Sequence, residues 1–232
     1  MENFSIVIPI YNEEENIFDL INEINKILIN YKNNYEIILV DDNSNDNTYE
    51  KFTIFKHNNK IKYLKNSINK GQSYSIHYGI KESTYNTIIT IDGDGQNNPK
   101  NIIDLLEKYF SNPYDLVYGV RLKRRDNLIK ILSSRLANSV RSYILKDNCI
   151  DTGCSLKIFN KETFLKIPYF NGIHRYIPAL FLALNSNISS ITVDHRYRKF
   201  GNSKYGTIDR LYKGIIDMFI VIRIIKTLKN ND

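Results

Sequence analysis

Apolar residues in the first half of the chain alternate between two spacings. Ser5-Ile-Val-Ile-Pro-Ile10 and Glu36-Ile-Ile-Leu-Val40 are continuous runs rich in β-branched residues. Ile61 to Leu64, Thr87 to Ile91 and Leu116 to Gly119 repeat the pattern. Between them, Glu14 to Ile29, Thr48 to Phe55, Ser73 to Lys81 and the segment after Pro99 (NIIDLLEKYF) carry apolar positions at helical spacing. Strands that are apolar on both faces and separated by helices predict an α/β protein with a mostly parallel sheet covered on both sides. In such a sheet, ligands bind in the crevice outside the strands' carboxyl ends. The residues just past three of these runs are polar: Tyr11-Asn12-Glu13, Asp41-Asp42-Asn43-Ser44 and Asp92-Gly93-Asp94-Gly95-Gln96. Three neighbouring strands would bring them to one crevice.

The second half reads differently. Arg121-Leu-Lys-Arg-Arg-Asp126 is a basic loop, and Asn127 to Lys146 has the period of a long helix. A glycine-containing turn follows Lys204, then a final helix from about Thr207 to Leu228. The expected organisation is one catalytic unit over residues 1–206, with halves of about 1–120 and 121–206, and an amphipathic helix over 207–232. No internal repeat or linker interrupts it.

At 232 residues the chain can bury a normal core, and 42% hydrophobic with 25% charged residues is a globular composition. A formal charge of +7 favours an anionic partner: nucleic acid, nucleotide or an acidic membrane surface. Cys149 and Cys154 are the only cysteines, too few for a disulfide framework, and no second Cys or His pair completes a zinc site. MENFSIVIPIYNEEEN enters directly into a strand and reads as no signal peptide. The longest apolar stretch, Gly214 to Ile225, contains Asp217 and Arg223 and falls short of a membrane span.

Two carboxylates one residue apart at a buried strand end, Asp92 and Asp94, need an explanation, because like charges repel. A calcium loop does not supply it: the sixth position is Asn97 rather than Gly, and the twelfth is Ile103 rather than Glu. An ordinary turn remains open. So does a divalent metal held by carboxylate and amide oxygens against a diphosphate, for which magnesium favours one or two carboxylates plus phosphate oxygens.

Taken together, Ile6-Val-Ile-Pro-Ile-Tyr-Asn-Glu13, Leu39-Val-Asp-Asp-Asn-Ser44 and Asp92-Gly-Asp-Gly-Gln96 resemble the family 2 glycosyltransferases of GT-A fold. Asn69-Lys-Gly71, Arg121, Ser134, Asn138, Asp151-Thr-Gly-Cys154 and Gly201-Asn-Ser-Lys-Tyr-Gly206 follow in the same order. This is similar to the dolichyl-phosphate mannose synthase branch, which makes polyprenyl-phosphate sugars. The resemblance implies that Pro9, Tyr11, Glu13, Val40 and Asp42 line a nucleoside pocket. It also implies that Asp92, Asp94 and Gln96 hold Mg²⁺ or Mn²⁺ against the diphosphate of a UDP- or GDP-linked sugar. Arg198, Ser203 and Lys204 would belong to a lid over the donor phosphates, hinged at Gly201 and Gly206.

No general base stands out. His57 and His77 lie away from the strand ends, and His174 and His195 read as surface or packing residues. A polyprenyl-phosphate acceptor needs none, since its oxygen is already anionic; it needs cationic positioning instead. Arg121, Arg124 and Arg125 supply cations. Lys130, Ser134 and Asn138 recur every four residues on one predicted helix face. Asp94, Arg121, Lys130 and Ser134 are therefore the expected catalytic set. An arginine is common in that branch where Lys130 stands; the charge is kept and the planar fork is lost.

A lipid acceptor also implies contact with a membrane. The final helix combines Ile215, Met218, Phe219, Ile222 and Ile225 with Arg210, Lys213, Arg223, Lys226 and Lys229, a pattern suited to an anionic headgroup layer or to packing on the sheet. The expectation is a protein peripheral to the cytoplasmic face of the membrane, with self-association or a membrane partner protein left open. Transfer to a sugar hydroxyl is the alternative, and Asp151 is then the best candidate base. Processive synthases of the family use a tryptophan-containing motif, and the chain has no tryptophan. Nucleic-acid binding is disfavoured by the acidic clusters at the strand ends.

Overall fold

A computed structural model describes residues 2–121, 139–198 and 207–230, with the backbone alone for 207–213 and 215. Seven strands form one sheet in the order β3-β2-β1-β4-β6-β5-β7: β1 Phe4–Ile10, β2 Tyr35–Asp41, β3 Ile61–Lys65, β4 Thr87–Thr90, β5 Leu116–Val120, β6 Lys157–Asn160 and β7 Ile188–Thr192. The pairs β1–β2, β1–β4, β2–β3 and β5–β7 are parallel, whereas β6 runs antiparallel between β4 and β5. The mostly parallel, doubly covered sheet expected from the apolar runs is present.

Two apolar layers hold it together. Helix α1 (Ile17–Ile27) buries Ile17, Leu20, Ile21 and Ile24, and α4 (Asn101–Ser111) buries Ile102, Leu105, Leu106 and Tyr109; each set follows the 3.6-residue period of one face. These side chains pack with Ile6, Ile8, Ile37 and Leu39. On the opposite side, Ile76 and Ile80 of α3 (Gln72–Lys81) join Val7, Ile38 and Val40. Burial of each such Ile or Val side chain contributes roughly 1.5–3 kcal/mol. At Gly79 the helix lies so close to the sheet that a β-carbon would fall 2.6 Å from Val7 Cγ1 and 2.8 Å from Val40 Cγ2.

Several boundaries differ from the sequence expectation. Helix α1 starts at Ile17 rather than Glu14, because Glu13 to Asn16 are spent in a turn that interlocks with the loop after β2. The short α2 (Thr48–Phe52) continues as a 3₁₀ turn over Thr53–Phe55. The helix expected over Asn127 to Lys146 is described only over 139–145 (α5), and Lys146 leaves it with φ +55°. Strands β6 and β7 and helices α6 (Lys161–Leu165) and α7 (Ile177–Ala183) were not anticipated. The final helix, α8, spans Thr207–Asn230.

The face of α8 also differs from the one expected. Val221 is fully buried, and Ile224 and Ile225 pack against the second core layer, while Ile216, Phe219 and Ile220 are exposed. Asp217 sets this rotation: it is buried and paired with Arg175 at 2.6 Å. Among the described residues, no helix is long and apolar enough to cross a membrane.

Candidate active site

The strand order places β2, β1 and β4 side by side, so their polar ends meet in one crevice. The loops after β1 and β2 are tied to each other. Ser44 Oγ accepts from the Asn12 amide at 2.9 Å, Asn12 Oδ1 accepts from the Asn45 amide at 3.0 Å, and Thr48 Oγ1 accepts from the Glu13 amide at 2.9 Å. Asn12 and Asn43 adopt positive φ, which asparagine tolerates better than most residues. Asp42 is buried and accepts from Asn66 Nδ2 at 2.7 Å, the Lys70 amide at 2.8 Å and the Gly71 amide at 2.7 Å. It thereby fixes the start of α3 against the end of β2. Pro9 and Tyr11 are half-buried at the same rim. Val40 is not brought to the crevice by its side chain, which packs in the core beneath α3.

The loop after β4 carries the paired carboxylates. Gly93 is required there by close approach: a β-carbon would stand 2.7 Å from Ile10 Cγ2 and 3.2 Å from the Pro9 carbonyl. Asp92 Oδ1 accepts from Gln72 Nε2 at 2.7 Å, and its amide donates to Ser155 Oγ at 3.1 Å. Asp94 Oδ1 accepts from the Gln96 amide at 3.1 Å, and its Oδ2 lies 3.3 Å from Arg198 Nη2. The same Nη2 lies 3.4 Å from Glu13 Oε1. Gln96 is held by a backbone bond from the Arg196 amide to its carbonyl at 2.8 Å. Burial, and then the charge of Asp94, push the Asp92 carboxyl up to about 6.

The two crowded carboxylates, with the amide side chain of Gln96 two residues on, offer hard oxygen donors of the kind that fit a divalent cation sharing its remaining positions with phosphate oxygens. Among the described residues, no group of three or more His, Cys, Asp or Glu side chains forms a self-sufficient metal cage. The set therefore suits a metal that arrives with a ligand.

Arg121 follows β5 at the same edge of the sheet. Asp151 grips it with both oxygens, at 2.7 Å to Nε and 2.9 Å to Nη2, and also accepts from its amide at 3.2 Å. Burial works against the guanidinium charge, and the Asp151 bonds more than offset it, so the Arg121 pKa lies above the usual value. Asp151 opens the segment leading into β6, and this segment organises the crevice floor. Ser155 Oγ accepts from the Asp92 amide and from Asn97 Nδ2 at 2.8 Å, while the Ser155 carbonyl accepts from Thr90 Oγ1 at 2.6 Å. Lys157, on β6, is buried with its ammonium donating to the Cys154 and Thr152 carbonyls. Burial lowers its pKa.

Sequence reasoning missed Gln72, Ser155 and Lys157. A lysine inside the apolar run Leu156-Lys-Ile-Phe159 is the signal that was available for the last. His174, expected as a surface or packing residue, is hydrogen-bonded through Nδ1 to Ser73 Oγ at 2.6 Å, and that hydroxyl also accepts from the Gly172 amide at 2.8 Å. Both cysteines are buried free thiols. Lys130, Ser134, Asn138, Arg124, Arg125, Gly201, Ser203, Lys204 and Gly206 lie outside the described residues.

Residues 5–168 match the sequence model described as Glycosyl transferase family 2. The chain belongs to that family. Among its relatives, this family 2 chain is 32% identical over 223 residues to a dodecaprenyl-phosphate galacturonate synthase of Rhizobium johnstonii, covering 94% of this chain and 66% of that protein. It is 33% identical over 207 residues to an undecaprenyl-phosphate 4-deoxy-4-formamido-L-arabinose transferase of Yersinia pestis, covering 88% and 63%. The chain thus spans just under two thirds of the length of these relatives. Its fold is similar to that of a glucosyl-3-phosphoglycerate synthase from Mycobacterium tuberculosis crystallised with Mn²⁺, UDP and phosphoglyceric acid. The TM-score is 0.68 at 15% identity, over 95% of this chain and 77% of the other. The GT-A fold expected from the motifs is the fold observed.

Proposed function

We propose that this family 2 chain transfers a sugar from a nucleotide-diphosphate sugar to a polyprenyl phosphate, by single displacement with inversion. The observation that carries this reading is the joining of two opposed charge sets at one sheet edge. The carboxylates at the ends of β1, β2 and β4 lie on one side and Arg121 on the other, linked through the Asp151–Lys157 segment. The names of the two relatives above, both polyprenyl-phosphate sugar enzymes, support the acceptor class.

In this reading, an acceptor phosphate oxygen bonds to the anomeric carbon as the bond from that carbon to the diphosphate breaks. The electron pair leaves with the nucleoside diphosphate, and no proton moves. Tyr11, Glu13 and Asp42 border the nucleoside, and Pro9 and Val40 contribute through their backbone. Asp92, Asp94 and Gln96 would hold Mg²⁺ or Mn²⁺, which would supply Lewis-acid charge for the leaving diphosphate. Arg121 positions the acceptor phosphate, and Lys130 and Ser134 complete that side, while Arg198, Ser203 and Lys204 cover the donor phosphates. The exposed Ile216, Phe219 and Ile220 of α8, flanked by exposed Arg223 and Lys226, suit a peripheral contact with an anionic bilayer.

The hydroxyl-acceptor reading is weakened at its best base. Both Asp151 oxygens already take up the Arg121 guanidinium, so accepting a proton would first require that pair to break. The test is a transfer assay with radiolabelled UDP- and GDP-sugars, Mg²⁺ or Mn²⁺ and a short-chain polyprenyl phosphate. Label passing into the organic phase is the expected result. Label that reaches only water-soluble sugar acceptors would overturn the phosphate acceptor.

A further inference from the structure

Arg198 occupies an unusual place. It lies six residues beyond the end of β7, and its side chain is 22% exposed. One nitrogen, Nη2, stands 3.3 Å from Asp94 Oδ2 and 3.4 Å from Glu13 Oε1. These carboxylates come from the loops after β4 and β1, two neighbouring strands, so a single guanidinium spans the mouth of the crevice and shares its one positive charge between both sides. The other Asp94 oxygen is already in use, accepting from the Gln96 amide at 3.1 Å. Its second oxygen, Oδ2, is thus the one Arg198 holds.

We infer that Arg198 is a resident competitor for the metal: it holds Asp94 while the crevice lacks nucleotide and yields it when a diphosphate arrives. This rests on the proposed metal-dependent reading and adds a linkage to it. A divalent cation at Asp94 and a guanidinium on the same oxygen repel each other, so metal entering alone must displace Arg198 from Asp94, leaving it beside Glu13 without bringing it a new anion. A diphosphate supplies that anion. Released from Asp94, Arg198 can turn to the phosphate oxygens, for which its planar fork is suited. Metal and nucleotide then favour each other by more than their direct contact provides, and the linkage is reciprocal. Bare metal binds weakly, and the complete cation–diphosphate pair is selected.

The experiment measures Mn²⁺ binding by electron paramagnetic resonance, with and without UDP and GDP, for the wild-type chain, Arg198→Met and Arg198→Lys. Thermal unfolding of each confirms that it is folded. Without nucleotide, Arg198→Met should bind Mn²⁺ more tightly than wild type by about fivefold or more, the low end of typical couplings. Arg198→Lys, which keeps a cation, should stay near wild type. With nucleotide present, the advantage of Arg198→Met should vanish or reverse. Equal or weaker binding of bare Mn²⁺ by Arg198→Met overturns the competition and leaves the metal site standing. Failure of every form to bind Mn²⁺, with either nucleotide or none, overturns the metal-dependent reading and the competition with it.

Discussion

Two regions of the molecule hold their acids in different ways. On the β1, β2 and β4 side, carboxylates are fixed mainly by neutral donors: Asp42 by two backbone amides and Asn66, Asp41 by Ser44 and Tyr63, Asp92 by Gln72. Across β6, acids are fixed by arginines: Asp151 by Arg121, Asp147 by Arg141 at 2.8 Å, and Asp217 by Arg175. Neutral donors fix geometry without cancelling charge, so the first side keeps a negative surplus, which Arg198 between Asp94 and Glu13 offsets only in part. Arginine pairs cancel charge and fix a loop, so the second side is a rigid frame. Attraction and rigidity are thus assigned to different strands.

The largest effect should come from removing the surplus. Asp94→Asn is expected to lower metal-dependent transfer by at least about a hundredfold with little change in stability; near-normal turnover would remove Asp94 from the metal site. Breaking the frame should act on stability instead. Asp151→Asn leaves a buried guanidinium partly uncompensated and should cost about 3 kcal/mol in denaturant unfolding. Replacing both partners, Arg121→Met with Asp151→Leu, should recover most of that loss while transfer stays low. A double variant as unstable as the single one would show that the pair is not the source.

The most gradual effect concerns acid. Burial, followed by the charges of Arg175 and Lys157, lowers His174 from 6.5 to about 3. The unfolded chain therefore binds a proton near pH 6.5 that the folded chain refuses until about pH 3. In that window the unfolded state is favoured as pH falls, and stability drops by up to about 1.4 kcal/mol per unit. His174→Gln should flatten the slope of unfolding free energy between pH 6 and 4 by roughly one proton. Coincident slopes for the two proteins would remove His174 from the acid response.

The sequence disclosed the first half well because its strands are buried on both faces and run parallel. Under those conditions, polar residues just past an apolar run must lie at the ligand edge, and Glu13, Asp42, Asp92 and Asp94 do. The same rule fails at β6. That strand runs the other way, so its beginning reaches the crevice, and Ser155 and Lys157 were passed over because they precede or open a strand rather than follow one. Val40 illustrates a different limit: position along a strand locates a residue near the edge, but only packing shows which face its side chain takes. The α8 face was misjudged for a similar reason, since one buried ion pair, Arg175–Asp217, determines a rotation that the apolar pattern leaves open.

The place of β6 in the sheet also orders events on a growing chain. Strands β3, β2, β1 and β4 lie consecutively in the sheet and need nothing beyond residue 90 to pair. Strand β5 comes next in sequence, yet among the described residues its sheet neighbours are β6 and β7, which have not been made when β5 leaves the ribosome. Arg121 therefore waits on a strand with no hydrogen-bonded partner until synthesis has passed residue 160. The sheet that carries the paired carboxylates can form early, and Arg121 joins it last.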